Sequence, residues 1–248
     1  MAFAYKLEKK SLPYATHIAS YALGKDYHDS IRQNLFPIIE KYKAKLGGEW
    51  RICIDSAPIA ERYWASKAGI GKIGKNGCII VDEGGSAVFL AEILTTLYFE
   101  PDLKEPYESF QGQVNCRECG RCIEACPTGA LLENGRIDSN RCISYLTIEK
   151  RGEWTAEEKE IMELPASSQI LFGCDICVKC CPMNGIPDRY YVEDDDIYQE
   201  LKEITEEDIL NLSKPDFKKK FGKTPLFRAT YEGIVRNALN VKKSKSNK

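Results

Sequence analysis

The sequence predicts an α+β protein with two successive regions of different character. Before residue 100, short apolar runs alternate with one long amphipathic segment, which is typical of mixed helices and strands. From residue 116 onward, cysteines recur at short intervals among turn-forming residues, so loops and short helices are expected around them. The longest apolar stretch, 87–94, is short and contains Glu92, so no membrane-crossing segment is expected.

A helix is predicted over residues 25–46, with a stop at Gly47-Gly48 and a kink at Pro37. A short buried strand is expected at 51–55, followed by a helix at 58–68 with Pro58 in its first turn. Two further strands are expected at 78–81 and 87–95, around a turn at 82–85. The apolar positions expected on one side of the first helix are Ile31, Leu35, Ile38, Ile39 and Tyr42.

The cysteine pattern predicts two 4Fe-4S clusters in a ferredoxin-like region. Cys-x-x-Cys-x-x-Cys-x-x-x-Cys-Pro begins at Cys116, a lone Cys142 follows, and Cys-x-x-Cys-x-x-x-Cys-Pro begins at Cys174. In two-cluster ferredoxins the cysteine before proline ligates the other cluster. The crossed assignment gives cluster one Cys116, Cys119, Cys122 and Cys181, and gives cluster two Cys126, Cys142, Cys174 and Cys177.

Zinc and disulfides explain the cysteines less well. Zinc sites do not need a triple Cys-x-x-Cys-x-x-Cys run or Cys-Pro ends. Disulfides are disfavoured because eleven cysteines is an odd number and no secretory signal is visible, which favours a reducing cytoplasm. Cys53, Cys78 and Cys180 are left over; Cys53 is expected to be buried, and Cys180 is not expected to be a ligand.

The net charge of -2 hides an asymmetry near the C-terminus. Residues 191–213 hold nine acids and one lysine, whereas residues 214–248 hold eleven Lys or Arg and two acids. This basic tail could neutralise nucleic-acid phosphates, or it could be a solvated face that serves solubility. Its cations are Lys218, Lys219, Lys220, Lys223, Arg228, Arg236, Lys242, Lys243 and Lys245.

Two apparent motifs are judged misleading. Gly69-x-Gly71-x-x-Gly74 has the dinucleotide-binding spacing, but it leaves a predicted helix and enters a predicted strand, the reverse of the order such a site needs. Asp26-x-His28 resembles the start of a cobalt-ligating DxHxxG signature, but Ile31 stands where the glycine is needed. His28 is therefore expected to pack or cap a helix.

Several segments together resemble epoxyqueuosine reductases. They are residues 20–28 (SYALGKDYH), 54–62 (IDSAPIAER), 68–76 (AGIGKIGKN), 141–149 (RCISYLTIE) and 173–177 (GCDIC). The resemblance runs from about Tyr14 to Asn240, and it implies an N-terminal α/β cobalamin-binding-type domain before the two-cluster ferredoxin-like domain. Family members have several tens of residues before the matching part, so the cobalamin fold is expected to be incomplete here. Longer relatives also carry a helical-repeat extension after the cluster domain.

The resemblance implies an iron-sulfur and cobalamin enzyme that reduces epoxyqueuosine in tRNA to queuosine. Electrons pass from the clusters to cobalt, which carries no protein histidine, and the reduced cobalt attacks the epoxide while a carboxylic acid protonates the leaving oxygen. In the matching motif that acid is Asp55, and an apolar setting would keep its carboxyl protonated. The alternative is that Asp55 or Ser56 caps a helix. Candidates to cover the corrin are Tyr21, Tyr27, Ile79 and Ile80, which could equally be core.

The expected organisation is 1–105 for the cobalamin and substrate domain, 106–190 for the clusters and 191–248 for an acidic and then basic helical segment, with a polar linker at 100–113. The expected partners are tRNA carrying epoxyqueuosine and an external low-potential electron donor, without a membrane and with the oligomeric state left open. Two other functions stay open: a ferredoxin-like electron carrier without cobalamin, and a tRNA-binding protein whose clusters are structural.

Overall fold

The computed structural model describes residues 1–8, 16–82, 84–100, 116, 118–133, 135–184 and 196–246. Helices and short paired strands alternate up to residue 95, and helices dominate from residue 121 onward, so the predicted mixture of helices and strands is confirmed. The predicted linker lies outside the described residues, except for Glu100. No helix in the described ranges is both long enough and apolar enough to span a bilayer.

The strands form separate pairs. Three pairs are antiparallel, namely β1 with β6, β3 with β7 and β4 with β5, whereas β2 pairs in parallel with β8. The strands are β1 (Ala2–Ala4), β2 (His17–Ile18), β3 (Trp50–Cys53), β4 (Lys72–Ile73), β5 (Ile79–Ile80), β6 (Val88–Leu90), β7 (Glu92–Thr95) and β8 (Ile170–Phe172).

The prediction of a single strand over 87–95 is wrong. The segment divides at Ala91, because the residues before it pair with β1 and the residues after it pair with β3. Around the predicted turn, Val81 and Gly85 form an isolated bridge. The Gly69 to Gly74 loop does run from a helix into β4, as the sequence predicted.

The helices are α1 (Tyr27–Leu46), α2 (Glu61–Lys67), α3 (Arg121–Ala125), α4 (Ile143–Ile148), α5 (Ala156–Glu163), α6 (Ile176–Lys179), α7 (Asp196–Glu203), α8 (Glu206–Leu210), α9 (Lys214–Phe221) and α10 (Thr230–Ser246). Short 3-10 segments occur at Ser20–Ala22, Ser139–Arg141 and Pro225–Ala229. Helix α5 begins with a capping box, since the Thr155 side chain accepts from the Glu158 amide and Glu158 accepts from the Thr155 amide.

Helix α1 matches its prediction in extent but not in its buried face. It ends at Gly47, whose φ of 72° is readily adopted by glycine, and it contains Pro37. Ile31, Leu35 and Ile39 are buried, four residues apart, whereas Ile38 and Tyr42 are 49% and 50% exposed. Those two residues lie off the narrow buried stripe, so their assignment to the buried face is wrong.

Helix α2 begins at Glu61, later than the predicted start at residue 58. The residues before Glu61 form tight turns instead of helix. The Ser56 amide donates to the carbonyl of Ile54, and the Ile59 amide donates to the carbonyl of Ala57. Ala60 is the N-cap residue, so the alternative in which Asp55 or Ser56 caps this helix is wrong. The residues between β3 and α2 therefore form an irregular loop that carries Asp55.

The buried cores cross the predicted domain boundaries. One core joins Ile18 and Leu23 to Phe172, which lies in the cysteine region (residues 116–181). The same core includes residues of α7 to α10, such as Phe217 and Ile234. A second core joins α1, β6 and the segment around Ile54 to Val178 in α6. The boundaries at residues 105 and 190 stay predictions.

Candidate active site

Asp55 lies on the loop between β3 and α2 in an unusual backbone conformation. Its φ is 50°, in the left-handed region that non-glycine residues seldom occupy, at a cost of about 1–3 kcal/mol. Its amide donates a hydrogen bond of 2.6 Å to Oε1 of Glu61, at the start of α2. Neighbouring groups must hold the loop in this conformation.

The first turn of α1 reaches the Asp55 carboxylate. Asp26 caps the helix by accepting from the His28 amide, and it also lies 2.7 Å from Nδ1 of His28. Nε2 of His28 is 3.6 Å from Oδ2 of Asp55, and the Tyr27 hydroxyl donates to the same oxygen at 3.2 Å. His28 therefore connects two carboxylates, a role beyond the packing or capping that the sequence suggested.

The charges favour a proton on His28 rather than on Asp55. Hydrogen bonding to Asp26, and then to Asp55, raises the pKa of His28 to about 9 despite partial burial. The His28 hydrogen bond lowers the pKa of Asp55, against desolvation and with help from Tyr27. The expected apolar setting for a protonated Asp55 is wrong, because the carboxylate is 66% exposed and is bonded to a cation.

A cavity of about 860 Å³ opens beside Asp55, near the upper end of the range usual for ligand sites. Tyr27, Asp55 and Ile79 line it, as their proposed roles require. Tyr21 instead packs behind Tyr27, edge-on with ring centroids 6.2 Å apart. Ile80 borders a different cavity, next to cysteines. The prediction that Tyr21 and Ile80 cover the same ligand as Tyr27 is therefore not matched by the cavity.

Sequence reasoning missed much of the cavity wall. Tyr27 stacks on Phe89 at a centroid distance of 4.3 Å, and Phe89 lies 4.8 Å from Tyr5. The pairing of β1 with β6 brings these rings together, and no local sequence signal reports that pairing. The other wall residues that were missed are Ile59, Ala60, Glu61, Arg62, Tyr63, Ile73, Gly77, Cys78, Ser86, Val88, Leu90, Gly135, Arg136 and Ile137.

The first predicted cysteine set surrounds a small, almost wholly apolar cavity. Its wall includes Asn76 and Ile80, together with Pro182 and Met183. The cysteines that line it are Cys116, Cys119, Cys122 and Cys181. These thiols come from the two ends of the cysteine region, as the crossed assignment predicts.

The second predicted set lies around α4, β8 and α6. Burial raises the pKa of Cys174 to about 12, and the Cys142 and Cys126 thiols add to this effect from nearby. Burial likewise raises the pKa of Cys177, whose thiol neighbours include Cys142 and Cys174. Cys126, Cys142, Cys174 and Cys177 are therefore neighbours in space. Cys180 instead donates to the Cys177 carbonyl at 3.5 Å.

Cys78 connects the large cavity with the cysteine region. It lines the cavity, and burial raises its pKa to about 11, with contributions from Cys181, Cys122 and Cys142. The neighbouring Asn76 donates to the Cys177 carbonyl at 3.5 Å. Cys53, by contrast, is 2% exposed, which confirms its predicted burial.

Of the nine cations named for the basic tail, Arg236 is buried, which neither interpretation anticipated, whereas the others are exposed or, for Lys245, half-buried. Arg236 is 8% exposed, lies 4.4 Å from the Trp154 ring centroid and donates to the carbonyls of Leu146, Lys150 and Gly152. Among the described residues, the ion pairs of the tail are Lys214 with Glu232, Lys220 with Glu200, Arg228 with Glu149, Lys242 with Glu207, Lys243 with Glu163 and Lys245 with Glu206.

Comparison with known proteins matches two segments of the chain to models of known families. Residues 1–56 match "Epoxyqueuosine reductase QueG, DUF1730", and residues 115–184 match a 4Fe-4S double cluster binding domain. The epoxyqueuosine reductase of Cyclobacterium marinum is 37% identical over 94% of this chain and 71% of its own length. That of Gloeobacter violaceus is 36% identical over 91% of this chain and 69% of its own length.

Solved structures agree with these relatives. An epoxyqueuosine reductase crystallised with an epoxyqueuosine-modified tRNA-Tyr stem loop is 31% identical, with a TM-score of 0.82. The Bacillus subtilis enzyme, solved with its catalytic aspartate loop swung out of the active site, is 30% identical, with a TM-score of 0.80. Both matches cover 98% of this chain, which spans 63% of the length of either solved chain. The chain therefore belongs to the epoxyqueuosine reductase family and carries a 4Fe-4S double cluster binding domain.

Proposed function

We propose that this chain reduces epoxyqueuosine to queuosine in tRNA, with two 4Fe-4S clusters, cobalamin and Asp55 as the proton donor. The observation that carries the proposal is the large cavity, which is lined by Asp55 and by Cys78, the neighbour of both cysteine sets. Removing the epoxide oxygen as water consumes two electrons and two protons. The site therefore needs a route for each, and an external low-potential donor must supply the electrons.

The crossed cysteine assignment gives the ligands of the clusters. The first set already surrounds a common cavity, and the second set is clustered around Cys142 and Cys174. The family match to a double cluster binding domain over 115–184 supports two clusters rather than one. Cys78 and Cys180 stay outside both ligand sets.

The chemistry of the cavity wall fits cobalamin. Aromatic and aliphatic side chains, Tyr5, Phe89 and Ile79 among them, offer a surface for a large flat ligand. Neither His17 nor His28 belongs to the described wall, which fits a cobalt without a histidine ligand. When bound, cobalamin would supply the strong nucleophile that epoxide reduction requires and that no side chain provides.

The proton for the leaving oxygen starts on His28 in this proposal. His28 is protonated at neutral pH, because two carboxylates face its ring. Asp55 lies between this imidazolium and the cavity, so a proton that passes to its carboxylate can then be given to the oxygen. Tyr27 holds Oδ2 of Asp55 in place by its hydroxyl. The relative whose catalytic aspartate loop leaves the active site supports a loop aspartate in this role.

The tRNA is proposed to approach over the start of α1 and the segment after α9. The Lys223 carbonyl accepts from the Asp26 amide at 2.9 Å, which joins the two segments. Arg228 is 65% exposed and close enough to lower the pKa of Asp55. Phosphate neutralisation by such cations provides most non-specific affinity for nucleic acid. The solved relative with a modified stem loop supports tRNA as the partner, which would place the reaction in the cytoplasm.

Cobalamin binding separates this proposal from an electron carrier and from a tRNA-binding protein with structural clusters. The cluster-loaded chain is titrated with cobalamin under anaerobic conditions and followed by visible and electron paramagnetic resonance spectra. We expect stoichiometric binding, with a cob(II)alamin signal whose lower base has left cobalt. An unchanged cobalamin spectrum beside two intact clusters would contradict the proposal and favour an electron carrier.

A further inference from the structure

We propose that Glu61 and Glu92 form a carboxyl pair that latches the Asp55 loop, with Glu61 as a positioning residue for the reaction. The inference rests on the proposed function, because it assigns the latch to the loop of the proton donor. It adds a determinant to the site, since neither glutamate is a proposed proton donor, ligand or electron carrier.

Glu61 is hydrogen-bonded to the backbone of Asp55. The amide of Asp55 donates to Oε1 of Glu61 at 2.6 Å, while the φ of Asp55 is 50°. A left-handed aspartate returns to a commoner conformation unless its surroundings hold it. The side chains of Asp55 and its neighbour Ser56 are exposed, so packing supplies little of this restraint. The hydrogen bond from the Asp55 amide to the Glu61 carboxylate supplies this restraint.

Glu92 lies close to Glu61. Glu92 is the partner of Cys53 in the β3 and β7 register, so it stands beside the strand end from which the Asp55 loop departs. The carboxyl groups of Glu61 and Glu92 lie close enough for each to shift the pKa of the other. Oε2 of Glu92 is buried and has no hydrogen-bond partner among the described residues. Two carboxyl groups at such close range can hydrogen-bond to each other only when they share a proton.

Nearby charged groups determine whether the Glu61 and Glu92 pair keeps its shared proton. Burial, and then the negative charge of Glu61, raises the pKa of Glu92 to about 7. Burial raises the pKa of Glu61 as well, and the nearby Asp55 carboxylate adds to the effect. Opposing them are the His28 imidazolium from α1 and the terminal amine of Met1, which precedes β1, and the hydrogen bond from the Asp55 amide also lowers the pKa of Glu61. The acids outweigh the cations, so the pair retains a proton near neutral pH.

The pair therefore has two states with different consequences for the loop. With one proton, Glu92 donates to Glu61, and Glu61 is free to accept from the Asp55 amide. When the pH rises through about 7, Glu92 loses its proton and two partly buried carboxylates repel each other. Glu61 then moves away from Glu92, and its bond to the Asp55 amide is lost. The latch is closed below this pH and open above it.

Hydrogen exchange of the cluster-loaded chain tests the latch without relying on turnover. The protection of residues 54–59 is measured by mass spectrometry at pH 6.0 and pH 8.5 in four proteins: the unaltered chain, Glu61→Ala, Glu61→Gln and Glu92→Gln. Glutamine at position 61 retains an oxygen that can accept from the Asp55 amide and an amide group that can donate to Glu92. Glutamine at position 92 donates to Glu61 at every pH. Comparing proteins at one pH cancels the intrinsic exchange rate.

We expect Glu61→Ala to lose protection of the loop by about ten-fold or more at pH 6.0, because a hydrogen bond to a charged acceptor is removed. Glu61→Gln is expected to stay near the unaltered chain. At pH 8.5 the unaltered chain should exchange faster than Glu92→Gln, whereas at pH 6.0 the two should agree. Iron content and circular dichroism identify any variant that has failed to fold.

Equal protection in Glu61→Ala and the unaltered chain would overturn the inference, and so would an identical pH response in Glu92→Gln. Turnover of epoxyqueuosine tRNA separates the latch from the proposed function. If the unaltered chain is inactive while the exchange pattern holds, the function is wrong and the latch stands. If the chain is active and Glu61→Ala leaves kcat unchanged, the latch has no role in the reaction.

Discussion

Two histidines in the chain experience opposite surroundings, and only one can serve as a proton source near neutral pH. His28 is bonded to Asp26 and faces Asp55, which raises its pKa to about 9. His17 is half-buried, and desolvation lowers its pKa to about 4, despite a nearby Asp175 carboxylate. Because a proton donor must hold its proton at the working pH, His28 is the histidine that can supply a proton to Asp55.

The titration of the two imidazoles follows directly. In the oxidised, cluster-loaded chain, proton NMR of the ring hydrogens should give one histidine that titrates near pH 9 and another that titrates near pH 4. His28→Gln should remove the upper transition and leave the lower one. An upper transition near the ordinary value of about 6.5 would contradict the charge distribution proposed for the site.

The same shift links His28 to stability, and its sign is defined. A histidine whose pKa is raised by folding stabilises the fold fully below its unfolded pKa of about 6.5. That contribution disappears as the pH rises toward the folded value of about 9. The free energy of unfolding should therefore fall across this window more in the unaltered chain than in His28→Gln, as measured by denaturant titration. Equal pH dependence in both proteins would refute the ion-pair account.

The sequence could identify some site residues but not their partners. Cysteine spacing alone predicts the two ligand sets, because a cluster imposes short, repeated intervals. Asp55 was found only through the family resemblance, and the expected apolar setting was wrong. The His28 contact depends on α1 lying beside the end of β3, and no local pattern encodes that approach.

Among the helices, α10 shows how a basic tail can be structural. Asn237 is fully buried, and its side-chain amide donates to the carbonyls of Thr147 and Leu171 at 2.8 and 2.9 Å. Thr147 belongs to α4, which begins after Cys142, and Leu171 belongs to β8, which precedes Cys174. The C-terminal helix therefore supports both segments that present the second cysteine set. The sequence could not predict this support, because the partners are distant in the chain.

Replacing Asn237 with alanine should destabilise the protein by about 2–4 kcal/mol, because two buried carbonyls lose their donor. Asn240→Ala is the matched control on the same helix, since Asn240 makes a single partly buried bond to the Met162 carbonyl and should cost about 1 kcal/mol or less. Denaturant unfolding of both variants with clusters intact measures the difference. Equal losses would contradict the bracing role of Asn237.

The segment after α9 should contribute to tRNA affinity, whereas the far end of α1 should not. Lys223→Ala with Arg228→Ala removes two charges beside the start of α1, and we expect weaker binding of the stem loop with a salt slope smaller by about 1–2. Lys41→Ala with Lys45→Ala removes the same charge near the other end of α1, about 20–27 Å from Tyr27 along the helix. Fluorescence anisotropy at several salt concentrations distinguishes the pairs. If both double variants weakened stem-loop binding equally, the effect would be non-specific electrostatic attraction and the proposed approach of the tRNA would be contradicted.

At the scale of the whole molecule, the cavity and both cysteine sets are assembled by segments distant in sequence. Tyr5 and Val178 share one core, and Ile18 shares another with Phe172 and α10. Asp175, between Cys174 and Cys177, accepts from the Ser20 amide and hydroxyl at 2.7 and 2.6 Å. These contacts tie the N-terminal segment to the cluster region. The sequence predicted the character of each region, but the shared cores depend on long-range packing that composition does not reveal.

The most direct test of the account is single-turnover conversion of an epoxyqueuosine-modified tRNA stem loop by the cluster-loaded chain, with cobalamin and a low-potential reductant, analysed by mass spectrometry of nucleosides. We expect queuosine to form only when cobalamin is present, and Asp55→Asn to slow its formation by about 10²- to 10⁴-fold while cobalamin still binds. Ser56→Ala, the neighbouring control, should stay active. Full conversion by Asp55→Asn, or no queuosine from a chain that holds both clusters and cobalamin, would contradict the account.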